Sequence, residues 1–445
     1  MSRPTSWTRS TWSSTPTSRP RANSPSVRTM PTDFVWRSPR WPRSRASSSR
    51  LPDPAAPQTG PRTSTPPGRS RAFLCPPTVR RRARLALSRP NGRTLVGLFG
   101  GRGKGRDNQA ARQTARQAEA IARFWAWWTD EGMARSSSAL AEGDPGRIVA
   151  DMTGQVEAVA GELSWEFAKG DESMHKLVVT ADGDPALRST ARRWLEGAPE
   201  SDVFWSYADA RPPMLDLSDS VLKLDSIELA LNETRVGVRR SGTRVDVQVH
   251  HPRLEELGEQ GRTTFCFLAV DAAVGETMTE TWIGELHPSL VPPMDGFGLS
   301  GLRAVVRDMA QEFEGANSWV ALEGVSQIGP VRVLARVPLA AASAPTLDQS
   351  VTISVTYTGD AEGLPDETVQ RDLMAFRDHL SERLEGQGEL VAIVMAGSRC
   401  QYHFYVDSTR TGAAQLEAAA SGRPGRVETH IEDDPGWANV AHLRG

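Results

Sequence analysis

The sequence predicts an α+β protein: a disordered N-terminal tail, one or two mixed α+β domains, and a C-terminal ferredoxin-like βαββαβ domain. Three observations carry this prediction. From residue 350 onward, strictly alternating apolar stretches such as Val351, Ile353, Val355 and Tyr357 are interleaved with helical patterns in the order of a split βαβ plan. Between residues 146 and 315 helical and strand-like periods are intermixed. Residues 1–94 show neither period.

The tail differs from the rest in charge as well as pattern. Residues 1–100 hold 19 Arg, no Lys and two acids, Asp33 and Asp53, whereas residues 101–445 carry 33 basic against 52 acidic side chains. The formal net charge of −2 is therefore the sum of a strongly basic piece and a strongly acidic one. A segment of Ser, Thr, Arg and Pro with scattered Trp7, Trp12, Trp36 and Trp41 buries too little apolar area to offset its ordering entropy. Arg without Lys and Trp without Tyr are what a mis-assigned upstream start in GC-rich DNA produces; a natural disordered tail and a basic arm for nucleic acid are the other readings. The glycine-rich stretch LVGLFGGRGKGRDNQ, Leu95 to Gln109, fails as a phosphate-binding loop. Leu98 stands where the first Gly of that motif belongs, and Gly105 replaces its Ser or Thr. The expected initiator is Val96, with Leu95 or an earlier position as alternatives. Residues 1–95 are then tail and 96–145 a helical leader.

Within the leader, Ala110 to Trp128 favours helix and closes in FWAWW, a core anchor or, alternatively, a stacking platform. The domain expected over 146–315 begins with a helix from Arg147 to Ala160, placing Ile148, Met152, Val156 and Val159 on one face. A hairpin follows, with Leu163, Trp165 and Phe167 on one strand and Leu177 to Thr180 on the other. Asp184 and Pro185 supply the N-cap and first position of a helix ending near Leu195, before a strand from Val203 to Tyr207. Val236–Arg239 and Val245–Val249 flank a Ser241-Gly242 turn, Phe265–Val270 and Met278–Leu286 read as strands, and Leu302–Phe313 as a helix. Residues 316–349 read as a hairpin, Ala321 to Leu339, and a linker.

The C-terminal domain, 350–440, is the most legible part. After the first strand, Pro365, Asp366 and Glu367 open a helix with Val369, Leu373, Phe376, Leu380 and Leu384 on one face, closed by Gly386. Leu390–Met395 is a continuous apolar strand, and Cys400, Tyr402, Phe404 and Val406 alternate on the next. An Ala-rich helix spans Thr411 to Ala420, and Val427, Thr429 and Ile431 mark the last strand. In this plan one sheet face collects Thr352, Ser354, Thr356, Gln401, His403 and Tyr405, with Arg426, Glu428 and His430 alongside. That face packs against the upstream domain, binds a protein, or stacks RNA bases; the acidic balance opposes RNA.

No catalytic or cofactor motif stands out. His403 and His430 lie two strands apart, about 9.6 Å, too far for direct co-ligation, and His250 and His251 point to opposite faces of one strand. No metal and no cofactor are expected. G-x-S-x-G, HExxH and a dinucleotide fingerprint are absent from the sequence, and EDDPGW, Glu432 to Trp437, reads as solvated surface. Three separated cysteines, Cys75, Cys266 and Cys400, fit a reducing compartment, and no run reaches the ~20 apolar residues of a membrane helix. A cytoplasmic location is the expectation.

The hairpin AGSRCQYHFYVD, Ala396 to Asp407, followed by IEDDPGW, Ile431 to Trp437, resembles the bacterial family catalogued as domain of unknown function 695. There a Gly-x-Arg turn leads into an aromatic-rich strand and an Asp-Asp-Pro-x-Trp signature closes the domain, matched here by Gly397, Arg399, Tyr402, Phe404, Tyr405, Asp433, Asp434, Pro435 and Trp437. FWAWW, the strand around Trp165, TADG at Thr180 to Gly183 and GAP at Gly197 to Pro199 resemble, more loosely, the region that often precedes it. The tail ANVAHLRG departs from the family's aromatic and Leu-Pro ending. The resemblance implies a fold rather than an activity. Its members look similar in architecture to the regulator of ribonuclease activity B group, an analogy that implies RNA-metabolism regulation.

These readings converge on a binding or regulatory protein that acts through protein–protein contacts, with no catalytic centre. Arg399, Gln401, His403, Tyr405, Asp433, Asp434 and Trp437 are the candidate binding residues. In that group Trp437 is expected to cover the sheet edge while a carboxylate meets the Arg399 fork. The competing class is an enzyme with acid–base carboxylates in an interdomain pocket.

Overall fold

The computed structural model describes residues 103–444, apart from 215, 225, 316, 317 and 327. The expectations for a tail over 1–95 and a start at Val96 lie outside the described residues.

Helix α1 (Gly103–Trp127) runs through a π-helical turn, Trp128–Gly132, into α2 (Met133–Ala141), and α3 (Gly146–Val159) folds back on both. A small sheet follows, in which β1 (Ser164–Ala168) pairs antiparallel with β2 (His175–Thr180), and β2 pairs parallel with β3 (Trp205–Ala208). Parallel neighbours need a crossover. Here α4 (Arg188–Glu196) supplies it, entered through Asp184, whose side chain accepts from the Ala186 amide, with Pro185 next in line.

Aromatic side chains fill this unit. Trp125 and Trp194 lie with ring centroids 4.5 Å apart, and Trp125 Nε1 donates to the Trp194 carbonyl at 2.7 Å. Trp128 Nε1 donates to Tyr207 at 3.0 Å, and Trp205 Nε1 to Ser137 Oγ at 3.0 Å. FWAWW is therefore a core anchor. The helices expected as a leader over 96–145 share one core with the strands beyond 146. Gly132 permits the π-turn to close, because a Cβ there would meet the Trp127 ring at 2.8 Å.

The middle of the chain holds a short hairpin, β4 (Val221–Leu224) with β5 (Ile227–Ala230), and a three-stranded sheet of β6 (Arg235–Ser241), β7 (Arg244–His250) and β8 (Ile283–Ser289). Between β7 and β8 the structure departs from the sequence reading. Phe265–Val270 lies inside α5 (Glu259–Val274), and Met278–Trp282 inside α6 (Glu276–Trp282), so only Ile283 onward is strand. A short apolar run does not distinguish a buried strand from a helix buried on several sides. Phe265, Cys266, Ala269, Val270, Ala273 and Val274 are all buried, which erased the helical period. Gly275, at φ +83°, makes the break between the two helices in a conformation that favours glycine. Helix α7 (Leu299–Glu312) completes this layer.

The C-terminal sheet has six strands, all paired antiparallel, in the order β14-β11-β13-β12-β10-β9. These are β9 (Trp319–Ser326), β10 (Gly329–Arg336), β11 (Gln349–Thr356), β12 (Gly388–Ala396), β13 (Arg399–Val406) and β14 (Val427–Asp433). Helices α8 (Glu367–Arg383) and α9 (Gly412–Ser421) complete a βαββαβ run, and β13 lies between β11 and β12, which splits the first βαβ. Asp366 caps α8 by accepting from the Val369 amide at 2.8 Å. The hairpin assigned to 316–349 is no spacer, because β10 pairs with β12 and extends the sheet.

Two cores sandwich the sheet. One holds Val351, Ile353, Tyr402 and Phe404 against Leu373, Leu380 and Leu416 of the two helices. The other joins Val331, Val333, Val391 and Tyr405 to Val247, Phe265, Leu302 and Val306 of the middle layer. Of the three readings of the face that carries Tyr405, packing against the upstream layer is the one that this core matches.

Truncating Trp128, the fully buried hub of the first core, to Ala should cost about 3–5 kcal/mol. Urea unfolding of the purified chain reads this as a lowered midpoint; a loss below about 1 kcal/mol would show that the helices over 103–141 are not integral to the first unit.

Candidate functional site

The candidate residues of the C-terminal domain do not form one surface. Arg399 opens β13 and lies 3.7 Å from Glu428. Gln401 is half-buried and donates to Ser354 Oγ at 3.3 Å. His403 is buried with Nδ1 3.3 Å from Thr352 Oγ1, and burial pushes its pKa down to about 4, so it is neutral. Asp433 is exposed and receives Gln349 Nε2 at 3.3 Å. Tyr405, Asp434 and Trp437 are buried.

Those last three meet. The Tyr405 hydroxyl donates to Asp434 Oδ2 at 2.5 Å, and its ring stacks on Trp437 with centroids 4.4 Å apart. Asp434 also accepts the amides of Ala438 at 2.8 Å and Asn439 at 2.9 Å, and Trp437 Nε1 donates to the Leu347 carbonyl at 2.7 Å. The group clasps residues 434–443 over the sheet, with Val440 and Leu443 buried beneath. These two apolar residues occupy the stretch where the sequence departs from the resembled family.

The expectation that a carboxylate of the EDDPGW run meets Arg399 is corrected. Arg399 is opposite Thr356 and Asp433 opposite Gln349 on β11, which separates them by about 23 Å at ~3.3 Å per residue. Glu428 is the carboxylate beside Arg399 instead. With Tyr405, His403 and Trp437 inside the molecule, they present no docking or base-stacking surface.

A second constellation, missed from the sequence, lies between the first sheet and α6. Glu276, 1% exposed, accepts from Thr180 Oγ1 at 2.5 Å, Arg188 Nη2 at 2.9 Å, the Arg211 amide at 2.9 Å and the Gly183 amide at 3.3 Å. Arg188 also donates to the Asp209 carbonyl at 3.0 Å and pairs with Glu280. Arg211 Nη2 reaches Asp182 at 2.7 Å and its Nε reaches Glu166 at 3.2 Å; Arg192 pairs with Asp209 at 2.8 Å. Burial opposes charge on Glu276, but Arg188, Arg211 and the hydrogen bonds outweigh it, so its pKa lies below the usual carboxylate range. For Glu166 and Glu280 burial wins and the pKa is raised. Asp271 shows the largest consequence: burial, with Glu276 and Glu280 nearby, lifts its carboxyl to about 7 against a hydrogen bond from Thr279.

These residues come from seven separate elements and loops, so no local spacing announces them. The one available signal was α4 itself, where Arg188, Arg192 and Arg193 share a short segment with buried Ala191 and Trp194. Arg193 extends the network in another direction, to Asp348 and Asp407, each at 2.8 Å. Chemically the arrangement neutralises and positions. Glu276 and Arg188 are saturated by one another and by backbone, and among the described residues no group of His, Cys, Asp and Glu is placed to hold a metal ion.

Two variants test this account. Arg188→Met removes one partner of a buried pair and should destabilise the chain by about 3–5 kcal/mol at neutral pH, measured by urea unfolding. Asp271→Asn acts oppositely. The folded pKa near 7 lies above that of an unfolded Asp, so wild-type stability falls as pH rises from about 4 to 7 and then levels off. The advantage of the Asn variant should grow over that window; a pH-independent difference would refute a protonated Asp271.

Residues 333–441, from within β10 to beyond the clasp, match the model of a family of unknown function, DUF695. No curated protein and no solved structure matches the chain. The likeness to the DUF695 family thus covers the C-terminal region of this protein.

Proposed function

We propose that this protein is a binding or regulatory module that works through protein–protein contacts at one end of its first sheet. The observation that carries this reading is a contiguous apolar patch formed by Met174, Val203 and Phe204, which are 59%, 70% and 56% exposed. They are held side by side, because the Met174 amide donates to the Val203 carbonyl at 2.9 Å and the His175 amide to the Phe204 carbonyl at 2.8 Å. Exposed Asp171, Glu172, Glu200 and Asp202 surround them. An apolar centre with an acidic rim fits a partner with an apolar recess and basic residues around it. The buried thiols of Cys266 and Cys400, both free, support a reducing compartment and hence the cytoplasm. Among the described residues no helix is long and apolar enough to cross a membrane.

The enzyme reading has less support. The carboxylates that converge on α6 are bound to arginines and amides that acid–base work would have to release. RNA-metabolism regulation by analogy finds support only if the protein partner is itself an RNA-processing enzyme.

The test replaces both Val203 and Phe204 with Glu, and compares that chain with the wild type and with Val149→Glu, an exposed position on α3. A partner captured by the wild type and identified by mass should bind the double variant at least ~10-fold more weakly and the α3 variant equally well. Equal binding by all three would discard this surface.

A further inference from the structure

The six-stranded sheet ends in two unpaired edges, β14 and β9, and the two differ in charge. Strand β14 pairs with β11 and β9 with β10, and among the described residues no strand lies on the outer side of either. An open edge presents a row of backbone N–H and C=O groups to any other strand, and charged side chains are the usual protection against that. Strand β14 has the protection. Its Glu428, His430, Glu432 and Asp433 are all exposed, so a second copy of this edge would bring carboxylates together. Strand β9 lacks it: its eight residues, WVALEGVS, include one ionisable side chain, Glu323, and no proline. At ~3.3 Å per residue they form an edge about 26 Å long.

The two faces of β9 have different surroundings. Val320 and Leu322 enter the core shared with the middle layer. By the alternation of a strand, Trp319, Ala321, Glu323 and Val325 lie on the other face, where Glu323 is 3.9 Å from Arg332 of β10. At the tip of the hairpin Val325 and Ile328 are 74% and 67% exposed. The Ile328 side chain rests on the turn between β12 and β13, where a Cβ at Gly397 would meet it at 2.9 Å, and this braces the tip.

We propose that β9 is the contact between two copies of this chain, which pair antiparallel about a two-fold axis through Leu322 and join their sheets edge to edge. Charge and side-chain complementarity select both the occupant and the register. With Leu322 opposite its own copy, Val325 of one chain falls opposite Trp319 of the other, and Glu323 falls opposite Ala321. Each contact occurs twice, once on either side of the axis. Pairing centred on Glu323 would set two carboxylates against one another, and pairing centred on Ala321 would carry Val325 past the start of the other strand. This edge is separate from the apolar patch of the first sheet and does not rest on the reading of that patch.

Sedimentation equilibrium of the full chain between ~5 and ~200 µM tests the proposal. The wild type should pass from one chain mass to two over that range, since a single shared strand lies at the small end of specific interfaces. Ala321→Glu sets a carboxylate opposite Glu323 at two places and should weaken the dimer at least ~5-fold, whereas Ala321→Lys should hold or tighten it. Val325→Lys, at an exposed position, should weaken it as well and stands in if Ala321→Glu does not fold. Ile431→Lys on β14, the opposite edge, should leave it unchanged. A wild type that stays monomeric up to ~200 µM, or a dimer that Ala321→Glu and Val325→Lys leave at full strength, overturns the proposal.

Discussion

Taking a carboxylate out of water costs several kcal/mol, and at Glu276 the chain meets that cost with two arginines, one threonine and two backbone amides. Each donor comes from the first unit or its exit: Thr180 ends β2, Gly183 lies in the turn after it, Arg188 begins α4 and Arg211 follows β3. Glu276 begins α6 in the middle layer. The ion-pair network can therefore be complete only when the two units are docked in one relative position. A purely apolar contact would tolerate sliding; a saturated buried carboxylate does not, since each lost donor leaves charge uncompensated. Helix α4 makes the constraint three-way, because Arg193, one turn beyond Arg188, grips Asp348 and Asp407 of the C-terminal sheet.

How far the sequence revealed this follows from what each feature depends on. Strands β11 and β13 were legible because alternation records one buried face, and α8 because Asp366 and its apolar stripe are local signals. The hairpin β6–β7 was legible from its turn. Helix α5 was misread because burial on several sides removed the period that distinguishes helix from strand. The site residues were harder still. Tyr405, Asp434 and Trp437 stand among the seven candidates read from the sequence, but their burial depends on Val440 and Leu443 folding back and on the middle layer covering the sheet, and neither is a local property. Arg399 was separated from them by strand register, which composition does not encode.

The covered face also explains its own polarity. Ser350, Ser354 and His403 alternate with apolar residues as solvent-facing positions would, yet they are buried. They are tolerated because they hydrogen-bond along the sheet, as His403 does to Thr352 and Gln401 to Ser354, and because His403 remains uncharged. Polar alternation here records pairing within an interface rather than contact with water.

The family match begins within β10, so β9 and the whole middle layer lie outside it. Yet Val331, Val333, Val391 and Tyr405 pack on Val247, Phe265, Leu302 and Val306, and without those residues the matched domain would show an apolar sheet face to water. The middle layer in this chain therefore acts as the lid of the matched domain, and the clasp at Tyr405, Asp434 and Trp437 lies at the seam. A domain whose sheet is covered on both sides has its edges and loops left for recognition. The sheet is the rigid body to which the first unit is fixed through α4.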